Sequence, residues 1–394
     1  MERDSERGER KRPRFGLLPR VITAIALGVV LGRVVPAGAV RGFATFNALF
    51  DQFLKFFVPL IILGLVAPAI AETGRGAGRM LVATVGMAYA STVLAGFFAF
   101  GVASIFFPGL AASGGTASAA GAFAPYFTVE IPPVLGVMSA LVLSFILGIG
   151  MVVSNSNVIK LAFLEFKSVV SSTISAVIIP LLPLYIFGVF LSMAASGAAW
   201  AMLATFSRVI VVIFAATFVL LLMQFAIAGA VARRNPLKAL CGMAPAYATA
   251  LGTSSSAATI PVTLACAVRN GVRGEIAEFA VPLCATVHLS GSMLKITACA
   301  AALVAMKGQT PDIGAFAGFI MLLGVVMVAA PGVPGGAIMS ALGVLQSVLG
   351  FGESDQAMMI SLYIAMDSFG TACNVTGDGA IAMAVDSIFR RKKE

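Results

Sequence analysis

The sequence predicts an all-α polytopic membrane protein with eight transmembrane helices and two re-entrant hairpins. Of its 394 residues, 59% are hydrophobic and 11% are charged, and the mean hydropathy is +1.01. An ordinary soluble domain has about a quarter of its residues charged. Apolar stretches of roughly 20 residues, the length that crosses a bilayer core of about 30 Å, recur along nearly the whole chain. Long segments that alternate polar and apolar residues, as in a membrane β-barrel, are not found in the sequence.

The basic N-terminal segment, residues 1–16, is expected to stay in the cytoplasm. The apolar run from Val21 lacks a convincing small-residue cleavage site and leads into further spans, so it is expected to remain as an anchor. The net charge of +9 comes from flanks such as residues 10–14 and the C-terminal basic tail, 390–394. Retention of basic segments on the cytoplasmic side explains this charge without nucleic-acid binding. We therefore expect both termini in the cytoplasm and the chain in a bacterial inner membrane.

Six uninterrupted helices are predicted within residues 17–234. Their expected bounds are 17–43, 48–71, 80–107, 132–153, 169–195 and 201–231. Arg75 and Arg79 follow the second helix, whereas the uncharged loop 109–126 follows the third and is expected outside. Six crossings return the chain to the cytoplasm at Arg233 and Arg234, as the positive-inside rule requires.

The pattern changes in residues 235–389, which we predict to be the transport core. Residues 239–268 are mostly apolar and basic at both ends, but "GTSSSAATIP" breaks the run in its middle. Charge therefore places both ends on the cytoplasmic side and predicts a re-entrant hairpin. Its polar tip can exist at membrane depth only if it is buried in protein or lines a wet cavity.

A second interrupted segment follows the seventh predicted helix, 276–306. Residues 313–349 are broken by "APGVPGGA" and have a mainly acidic rim, which suits a hairpin that enters from outside. The last helix, 356–389, then runs inward. Paired interrupted segments are typical of secondary transporters with a binding site near the midplane. The alternative is that both breaks are only kinks in ordinary spans.

The last helix carries a polar stripe within "DSFGTACNVTGD". Asp367, Thr371, Asn374 and Asp378 are spaced i, i+4, i+7 and i+11, so they share one helical face. Ionisable groups inside spans are costly and usually face a pathway, a partner or a ligand. Carboxylates and exposed carbonyls are suitable ligands for a hard cation. The alternative is a self-satisfied network with another helix.

Several motifs together resemble one transporter family across essentially the whole chain. "TSSSAATIPVT", "GVPGGA" and "DSFGTACNVTGD", with Tyr89 and Thr92, are similar to the glutamate/neutral amino acid transporter family, the dicarboxylate/amino acid:cation symporters. The resemblance implies a homotrimer of elevator-type transporters. A scaffold that includes the second, fourth and fifth spans would stay still, while the third and sixth spans, both hairpins and the last two helices carry the substrate.

The resemblance also implies the substrate-binding residues. Asp367 would bind the α-amino group, Asn374 the α-carboxylate, and backbone at Ser255 and Ser256 would assist. A zwitterion that leaves water needs a buried anion for its ammonium and several donors for its carboxylate. The predicted substrate-binding set is Ser255, Ser256, Val333, Asp367, Gly370, Thr371 and Asn374.

Two departures from the family bear on the substrate. Acidic-substrate members have an arginine at the position of Gly370, or else at that of Ser254, and neither cation is present here. A second carboxylate would be buried without a partner, so a neutral amino acid is expected. Gly370 is also expected to enlarge the pocket. The alternative is an acidic amino acid or dicarboxylate, with Lys295 or His288 supplying the positive charge.

The cation sites depart further. Where the family usually reads N-M-D-G-T, this chain reads His288, Leu289, Ser290, Gly291 and Ser292. Loss of the carboxylate at Ser290 is expected to remove or change the sodium site that also uses Tyr89 and Thr92. The metal site formed by Asp378 and nearby carbonyls, including Asn374, keeps its anionic ligand.

His288 is the only histidine, and Lys295 lies at i+7 on the same predicted helical face. Lys295 could act as a tethered cation in place of a lost sodium, or either residue could carry a proton. The alternatives are a histidine that hydrogen-bonds within the core and a lysine that pairs with a carboxylate or snorkels.

The sequence thus predicts a secondary active transporter of neutral amino acids, coupled to Na⁺ or H⁺, by an elevator mechanism. No other cofactor is expected; the partners would be the amino acid, the coupling cation, lipid and two further copies of the chain. Proton coupling and exchange remain alternatives, as does a channel or receptor that keeps the fold. A membrane enzyme is disfavoured because no metal-ligand cluster or nucleophile–base pair is evident, and the five cysteines lack CxxC spacing.

Overall fold

A computed structural model of the protein describes residues 17–73, 79–108, 123–154, 157–197, 199–330 and 335–390. All regular elements within these ranges are helical. In chain order they are α1 (Leu17–Leu31), α2 (Ala37–Thr73), α3 (Arg79–Phe106), α4 (Val137–Val153), α5 (Asn157–Thr173), a π-helical turn (Ile174–Ile178), α6 (Ile179–Ala195), α7 (Ala199–Ala232), α8 (Pro236–Gly242), α9 (Ala244–Thr253), α10 (Ser256–Arg269), α11 (Gly274–Val287), α12 (Ser290–Met306), α13 (Ile313–Val328), α14 (Gly336–Leu349), α15 (Glu353–Ala365) and α16 (Asp367–Arg390). The predicted cytoplasmic segment 1–16, Arg75, most of the external loop (109–122) and the last four tail residues lie outside the described ranges.

The boundary between the first two predicted spans is wrong. The first span was expected to reach residue 43, but α1 ends at Leu31 and α2 already begins at Ala37. Pro36 lies directly before α2, and its carbonyl accepts hydrogen bonds from the Ala39 and Val40 amides. Proline suits a helix start because the amide that it lacks has no intrahelical partner there. The turn around Pro36 therefore divides the apolar run.

The fifth predicted span begins earlier than expected. A start near residue 169 was predicted, but α5 begins at Asn157 and continues through the π-helical turn into α6. The reason is tertiary packing: Phe166 and Val170 lie so close to Gly64 of α2 that a Cβ there would be 2.9 Å from Val170 Cγ2. Lys160, Glu165 and Lys167 interrupt the apolar pattern of α5, which hides this contact surface in the sequence.

Five helical stretches in the described ranges are long and apolar enough to cross a membrane: Ala37–Ala71, Arg79–Phe106, Asn157–Ala195, which runs from α5 to α6, Leu203–Ala232, and Gly274–Met306, which contains α11 and α12. The other predicted spans are short or interrupted, since α1 has 15 residues, α4 has 17 and the last helix is broken. The all-α polytopic class is thus evident, whereas the predicted number of eight spans stays a prediction.

The last two predicted helices are not continuous, contrary to expectation. The seventh is interrupted at His288 and Leu289, between α11 and α12, and the eighth at Met366, between α15 and α16. His288 is extended, with φ −105° and ψ 96°. The Asn374 side chain of α16 accepts from the backbone amides that start α12, which lets that half-helix begin at membrane depth.

Each interrupted hairpin is closed at its base by ion pairs. Arg273, which follows the first hairpin, binds Asp386 Oδ1 at 2.6 Å, and Arg234, which precedes it, lies 4.0 Å from Asp386 Oδ2. Lys307, which precedes the second hairpin, binds Asp355, which follows it, at 2.6 Å. The two ends of each hairpin therefore lie together, as a re-entrant path requires.

The described helices pack in two groups. In the first, α2 contacts α4, α5 and α6, and α1 packs on α6. In the second, α16 is surrounded by α7, α9, α10, α11 and α12, and α3 packs on α12. Buried side chains line α16 almost from end to end, so its polar stripe faces protein. The expected division into a scaffold and a transport core remains a prediction.

Candidate functional site

The polar stripe of α16 is buried and meets three different neighbours. Asp367 and Thr371 are each 7% exposed, Asn374 is 2% exposed and Asp378 is 1% exposed. The stripe predicted from helical spacing thus exists, but it does not face a single cavity.

Asp367, the first residue of α16, is bound from two sides. Its Oδ2 atom accepts a hydrogen bond of 2.8 Å from the Gly335 amide, at the start of the second arm of the second hairpin. Its Oδ1 atom lies 3.7 Å from Lys295 Nζ. Asp367 therefore connects the second hairpin with α12 through one carboxylate. Val333, predicted at the tip of that hairpin, lies outside the described residues.

Lys295 is 1% exposed, and its ammonium group has three neighbours. It donates to the Met366 carbonyl oxygen at 3.1 Å, lies 3.9 Å from the centre of the Tyr363 ring and faces Asp367. A carbonyl oxygen, a ring face and a carboxylate all attract an ammonium group and offset part of the free-energy cost of its burial. The carbonyl is available because Met366 lies at the helix interruption.

Gly370 does not enlarge the pocket, contrary to the expectation from the sequence. A Cβ atom at this position would overlap Cε and Nζ of Lys295. The space that the glycine leaves is therefore filled by the lysine from α12. The cation that the sequence seemed to lack beside Gly370 is present, and it is supplied by a different helix.

Asn374 and Thr371 are engaged in internal hydrogen bonds. Asn374 Oδ1 accepts from the Gly291 amide at 2.8 Å and the Ser292 amide at 3.3 Å, and its Nδ2 donates to Ser292 Oγ at 3.2 Å. Thr371 Oγ1 donates to the Asp367 carbonyl oxygen one turn earlier. Asn374 thus caps α12, a role in addition to the carboxylate binding that the resemblance implies.

The tip of the first hairpin lies beside the first turn of α16. Ser254 has a left-handed backbone, with φ 51°, which is uncommon for a residue with a side chain. Its Oγ atom is 2.7 Å from Ser368 Oγ, next to Asp367. Ser255 accepts from the Ala258 amide at 3.3 Å and caps α10, and Ser256 is 5% exposed. The two predicted tip residues are therefore near the Asp367 end of the stripe.

Asp378 meets His288 at the other end of the stripe. His288 Nδ1 lies 2.9 Å from Asp378 Oδ1, and both side chains are inaccessible to solvent, at 0% and 1% exposure. Asp378 Oδ2 is buried and has no hydrogen-bond partner among the residues that the structure describes. One carboxylate oxygen thus remains available to a cation.

Two polar residues that were not predicted complete this end. Gln224 of α7 donates from Nε2 to Ser91 Oγ at 3.0 Å and to Ser290 Oγ at 2.9 Å. Ser91 Oγ also lies 3.0 Å from His288 Nε2. The sequence did contain a sign of Gln224, because it places a polar amide side chain within an apolar span. Burial of such a group in a bilayer costs free energy unless it finds a partner.

Tyr89 and Thr92 do not share a hydrogen-bond partner among the described residues. The Tyr89 hydroxyl donates to the Met321 carbonyl oxygen of α13 at 3.3 Å. Thr92 is 1% exposed, and its Oγ1 atom has no hydrogen-bond partner in the described part of the chain. Ser290, predicted to belong to the same altered site, is bound by Gln224 instead.

His288 and Lys295 do not share one helical face, as an unbroken helix would have required. The chain is interrupted at His288, so His288 contacts Asp378 while Lys295 contacts Asp367. The site therefore contains two buried pairs of a basic and an acidic side chain along α16, with Asn374 between them. One end can bind an ammonium and a carboxylate, and the other can bind a cation.

Comparisons with known proteins identify a family and relatives that the chain resembles. Residues 17–388 match the model of the sodium:dicarboxylate symporter family. The chain is 28% identical to the serine/threonine transporter SstT of Acinetobacter baumannii over 398 aligned residues, which cover 95% of this chain and 97% of that protein.

Two mammalian relatives match over a shorter part. The chain is 32% identical to excitatory amino acid transporter 3 of Mus musculus over 165 residues, 42% of this chain and 31% of the transporter. It is 30% identical to neutral amino acid transporter B(0) of Rattus norvegicus over 162 residues, 41% of this chain and 29% of that protein. The aligned part thus spans less than a third of these two relatives.

Proposed function

Because the chain belongs to the sodium:dicarboxylate symporter family, we propose that it is a secondary active transporter that couples the movement of neutral amino acids to a cation gradient. Family membership identifies it as a multi-pass membrane transporter and not as an enzyme. The substrate class, the coupling ion and the mechanism are parts of the proposal.

The proposal that the substrate is neutral rests on the charge balance beside Gly370. Lys295 and Asp367 are opposite charges 3.7 Å apart, so their sum is zero. A zwitterionic amino acid keeps that sum, whereas an acidic amino acid would bury one additional negative charge, which is costly without a partner. The full-length similarity to a serine/threonine transporter supports the same substrate class.

Asp378 is the proposed anionic ligand of the coupling cation. Its Oδ2 atom is buried at the opposite end of the stripe from Asp367 and has no hydrogen-bond partner among the described residues. Carboxylate and carbonyl oxygens are suitable ligands for a hard cation, and Asn374, one turn earlier, is the second proposed ligand residue. The cation and the amino acid would then bind to one helix, which links their occupancy.

We further propose a homotrimer in a bacterial inner membrane, with both termini in the cytoplasm, that works by an elevator movement. Support comes from the two packing groups and from apolar side chains exposed on the outer face of α4 and α5. Val142 is 54% exposed, Ile146 62% and Val158 80%. Such a surface requires lipid or neighbouring copies against it.

One observation favours an alternative substrate. Because the Lys295 ammonium lies in the pocket, it could pair with the side-chain carboxylate of an acidic amino acid or with one end of a dicarboxylate. The Asp367 carboxylate would then lie near a ligand with a net negative charge, and the two would repel each other. Proton coupling and exchange are the corresponding alternatives for the mode of transport.

Uptake into proteoliposomes tests the proposal. The purified chain is reconstituted, and labelled neutral amino acids, acidic amino acids and dicarboxylates are offered with a Na⁺ gradient or a H⁺ gradient. We expect saturable accumulation of neutral amino acids that depends on one of the gradients. Accumulation of acidic substrates alone would refute the neutral assignment, and conductance without accumulation would favour a channel.

A further inference from the structure

Lys295 is the one lysine or arginine, among the residues that the structure describes, whose side chain is fully buried. Burial of a charged lysine is costly, and the cost is offset only when partners stabilise the charge. Its present ion pair is long, because 3.7 Å from Nζ to Asp367 Oδ1 exceeds hydrogen-bond distance. The ammonium therefore has one conventional acceptor, the Met366 carbonyl oxygen, and capacity for a closer anion.

The asparagine expected to bind the substrate carboxylate is already engaged. Asn374 Oδ1 accepts two backbone amides at the start of α12, and Nδ2 donates to Ser292 Oγ. An amide also supplies no charge to balance a carboxylate. A buried carboxylate needs a cation or several donors, so the Asn374 side chain alone cannot satisfy it.

The position of the Lys295 ammonium is fixed by its surroundings. The end of its side chain fills the space at Gly370, where no Cβ fits beside it, and the Tyr363 ring lies 3.9 Å from Nζ. A cation held in this way loses little conformational entropy when it binds an anion. Lys295 and Asp367 are thus a pre-organised pair of opposite charges at one end of the stripe.

We propose that Lys295 is a specificity-determining residue whose ammonium binds the α-carboxylate of a neutral amino acid while Asp367 binds its α-ammonium. This inference rests on the proposed function. The two charged groups of an α-amino acid are attached to the same carbon, so the ligand can lie alongside the pair, with its carboxylate on Lys295 and its ammonium on Asp367. Two short contacts are then added to the long one, and the four charges alternate in sign.

Removal of one charged group at a time, from the ligand or from the protein, tests this arrangement. The ligands are L-serine and L-leucine, their amides, which lack the negative charge, and their 2-hydroxy acids, which lack the positive charge. Affinities are measured by isothermal titration calorimetry on the purified full-length chain, at a pH where the amides are protonated. The variants are Lys295→Met and Asp367→Asn. Lys307→Met, which removes a lysine from the end of the same helix, is the control.

We expect wild type to prefer the zwitterions to both kinds of analogue. Lys295→Met should weaken zwitterion binding by roughly 30-fold or more and should then prefer the amide. Asp367→Asn should shift the preference to the 2-hydroxy acid, which needs the Lys295 cation. Lys307→Met should keep the wild-type order. Equal weakening of all ligands in both variants, or an unchanged order, would overturn the inference.

Two further outcomes are distinguished by the same measurements. If Lys295→Met does not fold, Asp367→Asn decides, because its preference for the 2-hydroxy acid depends on Lys295. L-aspartate and L-glutamate are titrated as well: if wild type binds these and neither neutral amino acid, the proposed function fails and this inference fails with it. If wild type binds the zwitterions but the preferences do not move, only the role of Lys295 is refuted.

Discussion

Lys295 occupies the space left by Gly370, since a Cβ at residue 370 would overlap its Cε and Nζ atoms. The two residues are on α12 and α16, so a glycine on one helix makes room for a buried cation of the other. The size of residue 370 therefore controls where the ammonium lies relative to Asp367.

Gly370→Ala should displace the Lys295 ammonium and weaken substrate binding by about tenfold, which corresponds to ~1.4 kcal/mol. The overlapping atoms are the end of a flexible side chain, so we expect a small change in thermal stability. Ligand affinity and melting temperature are measured together. The control is Gly318→Ala on α13, where no atom lies within 4 Å of the new Cβ.

The effect of Gly370→Ala should also depend on Lys295. In a Lys295→Ala background the new methyl group meets no lysine side chain, so the two substitutions should be non-additive. Strict additivity of the two affinity losses would contradict the contact between the residues.

Asp378→Asn should impair coupling to the cation gradient but leave the protein folded. The amide is nearly isosteric and can still hydrogen-bond to His288, which lies 2.9 Å from Asp378 Oδ1, so the protein should remain folded. Loss of the negative charge should lower gradient-driven accumulation by at least about tenfold, because a hard cation loses its anionic ligand. Accumulation under Na⁺ and H⁺ gradients is compared with Asp312→Asn, in which the exposed helix cap of α13 stays functional. Equal accumulation by the two variants would exclude Asp378 from cation binding.

Removal of the Asp386 carboxylate should destabilise the base of the first hairpin. Arg273 binds Asp386 at 2.6 Å, where the carboxylate is 4% exposed, and it also pairs with Glu275, which is 68% exposed, at 3.4 Å. Asp386→Ala should therefore cost about 2–3 kcal/mol of unfolding free energy, whereas Glu275→Ala should cost less than about 1 kcal/mol. Thermal unfolding of both variants in detergent provides the measurement. Similar losses would mean that burial of Asp386 does not strengthen its pair.

The ion pair between Lys55 of α2 and Glu353 of α15 provides a test of the elevator proposal. If α2 belongs to the scaffold and α15 to the moving unit, this contact must break during transport. In a cysteine-free background, Lys55→Cys with Glu353→Cys, linked by a short thiol-reactive reagent, should abolish transport.

The matched control for that cross-link is the Lys307–Asp355 pair, which also ends on α15 but lies within the proposed moving unit. Linking Lys307→Cys to Asp355→Cys should leave transport largely intact. Transport that survives the link between residues 55 and 353 would argue against relative movement of the two helices.

Local properties of the sequence were enough to predict the class of protein, and they also indicated the residues of its candidate site. Hydropathy and charge predicted an all-α polytopic membrane protein, and the family match over residues 17–388 confirms that class and its transporter nature. The interrupted segments around residues 254 and 331 and the polar stripe of α16 follow from composition and helical spacing. These features depend on neighbouring residues in the chain, which is why a single sequence contains them.

Only the tertiary structure decided which partner each buried polar group meets. The spacing of His288 and Lys295 suggested that both lie on one face of one helix. Instead a new helix starts between them, capped by Asn374, so His288 contacts Asp378 and Lys295 contacts Asp367. Gly370 suggested an empty pocket without a cation, but packing of α12 against α16 places Lys295 there. Such contacts join residues more than 70 positions apart, and the free energy of burying a charge is determined by those distant neighbours, which the local sequence does not contain.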